Sequence, residues 1–187
     1  MRSWVLLALA FLLGGVIAQT ITNKAMQKIF KYADPKAVGK LTTSINKEHT
    51  VPAKIKRVSA WIPANLVKKG AKVPPGAPEA DKKLALEKAT SFLNYRAVLV
   101  KVINLIYANT KDLLTPKLAN KLRTMFWNLD KKADNDFLKA AALFNRTGIP
   151  LIPQSKRADY SARVVTVKSN YLKKNPADIK YAMWFLQ

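Results

Sequence analysis

Side chains that could catalyse a reaction are few and scattered in this sequence. The only histidine is His49 and there is no cysteine, so most pairings of a nucleophile with a base are excluded. Glutamate occurs only as Glu48, Glu79 and Glu87. Two carboxylates that converge in space could still hydrolyse a glycosidic bond, and this alternative stays open. We therefore predict a protein that is not an enzyme and uses no cofactor.

One acidic cluster, Asp130, Asp134 and Asp136, superficially resembles a calcium-binding loop. It lacks the central glycine and the closing glutamate of an EF-hand, and it contains Lys131 and Lys132. We interpret the cluster as a charged junction between helices with an N-cap residue, and we predict no metal site.

Positive charge is the dominant chemical feature of the chain. Lysine and arginine total 33 against 11 aspartates and glutamates, a formal net charge of +22. A field of this sign attracts anionic lipid, glycan or glycoprotein surfaces, although any single group of lysines could also be an ordinary solvated helix face. The candidate cationic surface residues are Lys28, Lys31, Lys54, Lys56, Arg57, Lys68, Lys69, Lys117, Lys121, Arg123, Arg157, Arg163, Lys173 and Lys174.

Two apolar segments lie next to these cations and are candidates for contact with a membrane or a protein partner. The first contains Trp61 and Ile62, and the second is the C-terminal tail with Trp184, Phe185 and Leu186. The tail either docks onto the rest of the protein or inserts into a membrane or partner, and both alternatives stay open.

Residues 1–18 have the pattern of a secretory signal peptide. Arg2 precedes a short apolar run, and small residues precede a predicted cleavage site before Gln19; an uncleaved membrane anchor is the alternative. The most apolar later segment, 97–108, is too short to span a bilayer. Secretion makes nucleic acid an unexpected partner. It also makes Asn145, in an Asn-Arg-Thr sequon, a candidate for N-glycosylation.

Apolar residues recur at helical spacing along most of the remaining chain. Helices are predicted at 22–33, 37–45, 79–109, 115–129, 133–147 and 160–171. A loop rich in proline, glycine and lysine is predicted at 68–78. The expected fold is all-α: a single domain over 19–187, built as one bundle of about five helices and stabilised without disulfides.

Short motifs resemble a family of secreted sperm proteins. Asn23-Lys24-Ala25 before an apolar helix, Asp136-Phe137-Leu138-Lys139 leading into Gly148-Ile149-Pro150, and Pro176-Ala177-Asp178 are similar to segments of the abalone sperm lysins and their fusagenic paralogue. The stretch at 51–78 and the more apolar C-terminus depart from the lysin pattern, so the chain is closer in character to the fusagenic branch.

The resemblance implies a closed helical bundle that is stored in the sperm acrosome and acts on the egg without enzymatic activity. The fusagenic branch implies fusion of sperm and egg membranes, whereas lysin implies stoichiometric dissolution of the egg vitelline envelope by binding its glycoprotein. A cationic antimicrobial protein is a further alternative. The expected partner is an anionic membrane surface or the envelope glycoprotein, and a homodimer is left open.

Overall fold

Every regular element in the described parts of the chain is helical. The computed structural model describes residues 20–66 and 77–182. The α-helices are α1 (Asn23–Ile29), α2 (Pro35–Lys47), α3 (Val51–Asn65), α4 (Ala77–Thr110), α5 (Pro116–Lys132), α6 (Phe137–Thr147), α7 (Gln154–Lys174) and α8 (Ile179–Ala182). Short 3₁₀ turns at Ile149–Leu151 and Pro176–Asp178 precede α7 and α8. The predicted all-α class is therefore confirmed.

The described residues form eight helices, more than the five or so expected, and α3 is the main addition. No helix is predicted from the sequence for this segment, which contains two prolines. Pro52 lies in the first turn, where a helix needs no backbone N–H donor, and Pro63 lies exposed near the last residues of α3. Residues 77 and 78 of the predicted loop belong to α4. The rest of that loop and the predicted signal peptide lie outside the described residues.

The chain divides into two compact units, each described separately. The N-terminal unit is Ile21–Ala97, and the described part of the C-terminal unit comprises Thr20 and residues 98–182. Helix α4 belongs to the N-terminal unit through Ala97 and to the C-terminal unit from Val98 onwards.

The three short helices of the N-terminal unit begin at residues whose side chains cap the backbone. Thr22, Asp34 and Thr50 accept hydrogen bonds from backbone N–H groups in the first turns of α1, α2 and α3. Asp34 and Pro35 thus start α2 as well as separating it from α1. The helices enclose a fully buried cluster that contains Met26, Phe30, Val38, Ile45, Val58, Ala89 and Leu93.

The C-terminal unit is organised by the packing of α5 against α6. Thr115 caps α5 and Pro116 occupies its first position, as the sequence predicts. The Phe126 ring of α5 lies 5.8 Å from Phe144 and 6.1 Å from Phe137, both of which belong to α6. A second cluster, with Leu114, Leu122, Ile152 and Tyr160, joins these helices to α7.

The acidic junction between α5 and α6 is a structural turn. Asp134 and Asn135 adopt left-handed backbone angles, with φ of 56° and 60°, so α6 begins at Phe137 with Asp136 as its cap, later than expected. Asp130 is buried and accepts a hydrogen bond of 3.0 Å from the Asn135 side-chain amide. That amide also lies 3.2 Å from the Thr20 carbonyl oxygen. The prediction of a capped helix junction is confirmed.

None of the helices in the described ranges combines the length and the apolar character needed to cross a bilayer.

Two glycines without left-handed backbone angles are expected to respond oppositely to alanine. A Cβ at Gly148 would lie 2.6 Å from the Phe144 ring, so Gly148→Ala should destabilise the protein by about 1–3 kcal/mol. A Cβ at Gly39, inside α2, would meet nothing closer than 3.6 Å, so Gly39→Ala should stabilise it by up to about 1 kcal/mol. Urea unfolding of the two variants tests both signs, and equal effects would contradict the packing described around Gly148.

Candidate cationic binding surface

The outer face of α5 is a row of lysines without carboxylates. Lys117, Lys121, Lys131 and Lys132 are exposed and share one side of the helix with Thr124 and Asn128. The opposite side is anchored in the core by Ala119, Leu122 and Phe126. None of these four lysines forms an ion pair with the residues that the structure describes. We call this row the α5 face.

Helix α2 of the N-terminal unit presents a similar row, which we call the α2 face. Lys36, Lys40 and Lys47 are exposed and fall at spacings of four and seven residues, together with exposed Thr43. Val38, Leu41 and Ile45 bury the other side. None of the three lysines is paired with a carboxylate in the described ranges.

Most of the described carboxylates stabilise the fold through helix caps, hydrogen bonds or ion pairs. They do not neutralise the α2 and α5 faces. Asp34 and Asp136 cap helices, and Asp178 accepts a hydrogen bond from the Tyr171 hydroxyl. Burial and this hydrogen bond hold the pKa of Tyr171 above its ordinary value. The exposed carboxylates among the described side chains are Glu87, Asp112 and Asp159. The positive charge of the two faces therefore stays uncompensated by the carboxylates of the described side chains.

Several predicted cationic residues are exposed. Lys28 lies in the last turn of α1, and Lys31 follows that helix with its Nζ 4.5 Å from the centre of the Tyr32 ring. Lys56, Lys173 and Lys174 are exposed on α3 and at the end of α7. Lys68 and Lys69 lie outside the described residues.

Four predicted arginines contact the protein itself. Arg57 pairs with Glu48 at 2.7 Å, and Arg163 pairs with Asp112 at 2.7 Å and also donates to the Asn109 carbonyl. The Arg163 guanidinium lowers the pKa of the Asp112 carboxyl. Arg157 donates to the backbone carbonyls of Pro150 and Ile152, and the Arg123 guanidinium lies 4.4 Å from the centre of the Tyr107 ring. These contacts engage the four arginine side chains within the protein. The lysines of the α2 and α5 faces, in contrast, form no ion pair with the described residues.

The prediction that Lys54 belongs to the cationic surface is wrong. Its side chain is buried, with 5% of its surface exposed. Burial lowers the pKa of the Lys54 ammonium, nearby Arg96 lowers it further, and Glu48 acts in the opposite direction. Arg96, which is not among the predicted cationic surface residues, is buried as well. The N-terminal unit therefore holds two cations close together in its interior.

Ile62 is also buried, with 4% of its surface exposed, so it is not available for contact with a membrane. Trp61 beside it is half-buried, and its ring lies 5.0 Å from the Phe30 ring at the edge of the core. The other apolar candidates, Trp184, Phe185 and Leu186, lie outside the described residues. Asn145, the predicted glycosylation site, is exposed on α6.

Within the described residues, no group of three histidine or carboxylate side chains is close enough to hold a metal ion. Lys131 and Lys132, noted in the sequence only as departures from a calcium loop, prove to extend the α5 face. They lie fourteen and fifteen residues after Lys117, which corresponds to about four helical turns, so the helical period could have identified them.

Replacing the buried ammonium by an apolar group of similar length is expected to stabilise the protein. Lys54→Met should raise the free energy of unfolding at pH 7 by about 1–4 kcal/mol, because the variant no longer buries a charge beside Arg96. Wild-type stability should rise with pH between the lowered folded-state pKa and the ordinary value of 10.5, since the unfolded chain binds more protons in that window. The advantage of the variant should therefore shrink as the pH approaches 10.5.

Lys56→Met removes the same charge from an exposed position of α3 and serves as the control. Urea unfolding of the three chains from pH 7 to pH 10 is the measurement. If Lys54→Met and Lys56→Met change stability equally at every pH, the burial of Lys54 has no energetic consequence and the prediction is wrong.

Comparison with known proteins finds no match for this chain among family models, curated proteins or solved structures. The resemblance to the sperm lysins therefore depends on the short sequence motifs alone.

Proposed function

We propose that this chain is a secreted, nonenzymatic protein of the sperm lysin type, stored in the acrosome, that acts in fertilization by binding and perturbing the egg surface. Its action would be to promote fusion of the sperm and egg membranes. The lysin-like closed helical bundle is part of the same proposal. The observation that carries it is the presence of the carboxylate-free α2 and α5 faces in a chain with a net charge of +22.

The charge distribution supports adsorption to an anionic surface. A lysine near an anionic membrane contributes about 1 kcal/mol to binding, so one face of four lysines contributes several. The faces lie on helices whose opposite sides are anchored in a core, so these backbones are ordered before binding. Little conformational entropy of the backbone is then lost when the surface is engaged.

Perturbation of the bilayer requires apolar side chains as well as cations. Ile62 is excluded from this role by its burial, and the half-buried Trp61 packs against Phe30 at the edge of the core. We therefore turn to the C-terminal tail, the apolar segment that follows cationic residues. Aromatic residues next to lysines are typical of segments that enter the headgroup region of a bilayer. We therefore assign the membrane-perturbing step to Trp184, Phe185 and Leu186.

The direct test is lipid mixing and leakage of phosphatidylserine-containing vesicles, compared with phosphatidylcholine vesicles, using residues 19–187. We expect mixing and leakage only with the anionic vesicles, and we expect salt to suppress both because it screens exposed charges. Intact anionic vesicles would overturn the membrane proposal. Stoichiometric dissolution of egg envelopes without cleaved products would then favour the lysin-like alternative, and killing of bacteria without any effect on gametes would favour an antimicrobial protein.

Lysines of the α5 face should contribute more to the affinity for anionic vesicles than the same number of exposed lysines elsewhere in the protein. The double variant Lys117→Gln/Lys121→Gln should weaken binding to anionic vesicles about 30-fold, since two contacts of about 1 kcal/mol are lost. The control Lys83→Gln/Lys88→Gln removes the same charge from exposed positions of α4 that flank Glu87. Vesicle co-sedimentation should show a smaller loss for the control. Equal losses would mean that net charge alone drives binding.

A further inference from the structure

The C-terminal unit contains an apolar cavity of about 320 Å³ between the second half of α4 and helices α5, α6 and α7. Its walls include Ile103, Ile106, Leu122, Phe126, Phe144 and Val164. The cavity is partly open to solvent, and Val165 at its edge is 64% exposed. Its volume falls at the lower end of the range for small-molecule sites, which suits one alkyl chain.

Two cationic side chains also line this cavity. Lys168 is half-buried and forms no ion pair or hydrogen bond with the residues that the structure describes. Its burial lowers the pKa of its ammonium. The Arg123 guanidinium stacks on the Tyr107 ring, and its Nη2 donates to Asn120 at 3.0 Å. A guanidinium has five N–H donors, so an arginine in this orientation can also bind an anion.

Tyr160 places a further polar side chain in the wall of the cavity. Tyr160 is 8% exposed and lines the cavity, yet its hydroxyl makes no hydrogen bond with any described residue. A tyrosine hydroxyl can donate a hydrogen bond to an anion. An apolar cavity lined by two cations and a tyrosine is complementary to a molecule with one long apolar chain and one anionic head.

We propose that this cavity binds a long-chain fatty acid, with the alkyl chain between α4, α5, α6 and α7 and the carboxylate at Lys168 and Arg123. The bound carboxylate would supply the counter-charge that the half-buried Lys168 lacks among the residues that the structure describes. This site is separate from the carboxylate-free faces, and its occupation does not depend on whether the protein fuses vesicles.

The test is titration of residues 19–187 with cis-parinaric acid, whose fluorescence increases in an apolar site. Lys168→Gln should weaken binding about tenfold, whereas Lys173→Gln, an exposed lysine of the same helix, should leave it within about twofold. Neither variant should change the affinity for the methyl ester, because the ester has no charge to pair with Lys168. Equal effects of the two variants on the acid would overturn the assignment of the carboxylate.

A second pair of variants tests the position of the alkyl chain. Ala141 lines the cavity, so Ala141→Phe should fill it and abolish binding of both the acid and the ester. The adjacent Ala142 is exposed, and Ala142→Phe should bind both probes as the wild type does. Circular dichroism and thermal melting establish that each variant is folded. Unchanged binding by folded Ala141→Phe would place the probe on the protein surface and overturn the proposal.

The C-terminal tail is the competing occupant of the cavity. If a chain that ends at Ala182 binds parinaric acid and the chain that ends at Gln187 does not, the tail fills the site and the proposal is wrong. Equal affinity of the two chains supports a cavity that is free to take the fatty acid.

Discussion

A shortage of carboxylates shapes this protein. With 33 basic and 11 acidic residues, the chain has too few carboxylates to pair most of its cations. It also uses several of these carboxylates to stabilise the fold. Asp34 and Asp136 cap helices, Asp130 orders the left-handed turn before α6 through Asn135, and Asp178 binds Tyr171. A carboxylate used in such a cap or hydrogen bond does not neutralise a lysine on an outer helix face. The same carboxylates thereby stabilise the helices and determine where the electrostatic field is strongest.

Helix capping and apolar packing must supply the stability that many secreted proteins obtain from disulfides, because the chain has no cysteine. Threonine caps at α1, α3 and α5 provide part of it without adding or removing charge. The aromatic contacts of Phe126 with Phe137 and Phe144 join α5 to α6. Because these contacts anchor the inner side of α5, the lysines on its outer side face solvent together.

The sequence predicted the elements that depend on local signals. Thr115 followed by Pro116 marks the start of α5, and the predicted helix at 160–171 lies within α7. It failed for α3, which contains Pro52 and Pro63 and for which no helix is predicted. That error also caused the mistakes over Lys54 and Ile62. On a helix they share a face with buried Val58, at spacings of four residues, so recognition of α3 would have placed both in the core.

The cavity was not predictable in the same way. Ile103, Ile106 and Phe144 fall within predicted helices, but a void depends on how fully side chains from four helices fill the space between them. Periodicity identifies which side of a helix faces inward and gives no measure of the volume left there. That Lys168 and Arg123 line the same cavity could be recognised only after the packing of α5 and α7 was known.

The carboxylate-free faces have an evolutionary consequence. A lysine that acts through long-range attraction can be exchanged for another lysine one turn away with little loss, whereas a residue that fits a shaped pocket cannot. Selection on such a surface would preserve the number of cations and the exclusion of acids while leaving individual positions free to change. Proteins that work in this way can diverge rapidly in sequence and still keep the same physical activity, since the inherited trait is a charge distribution.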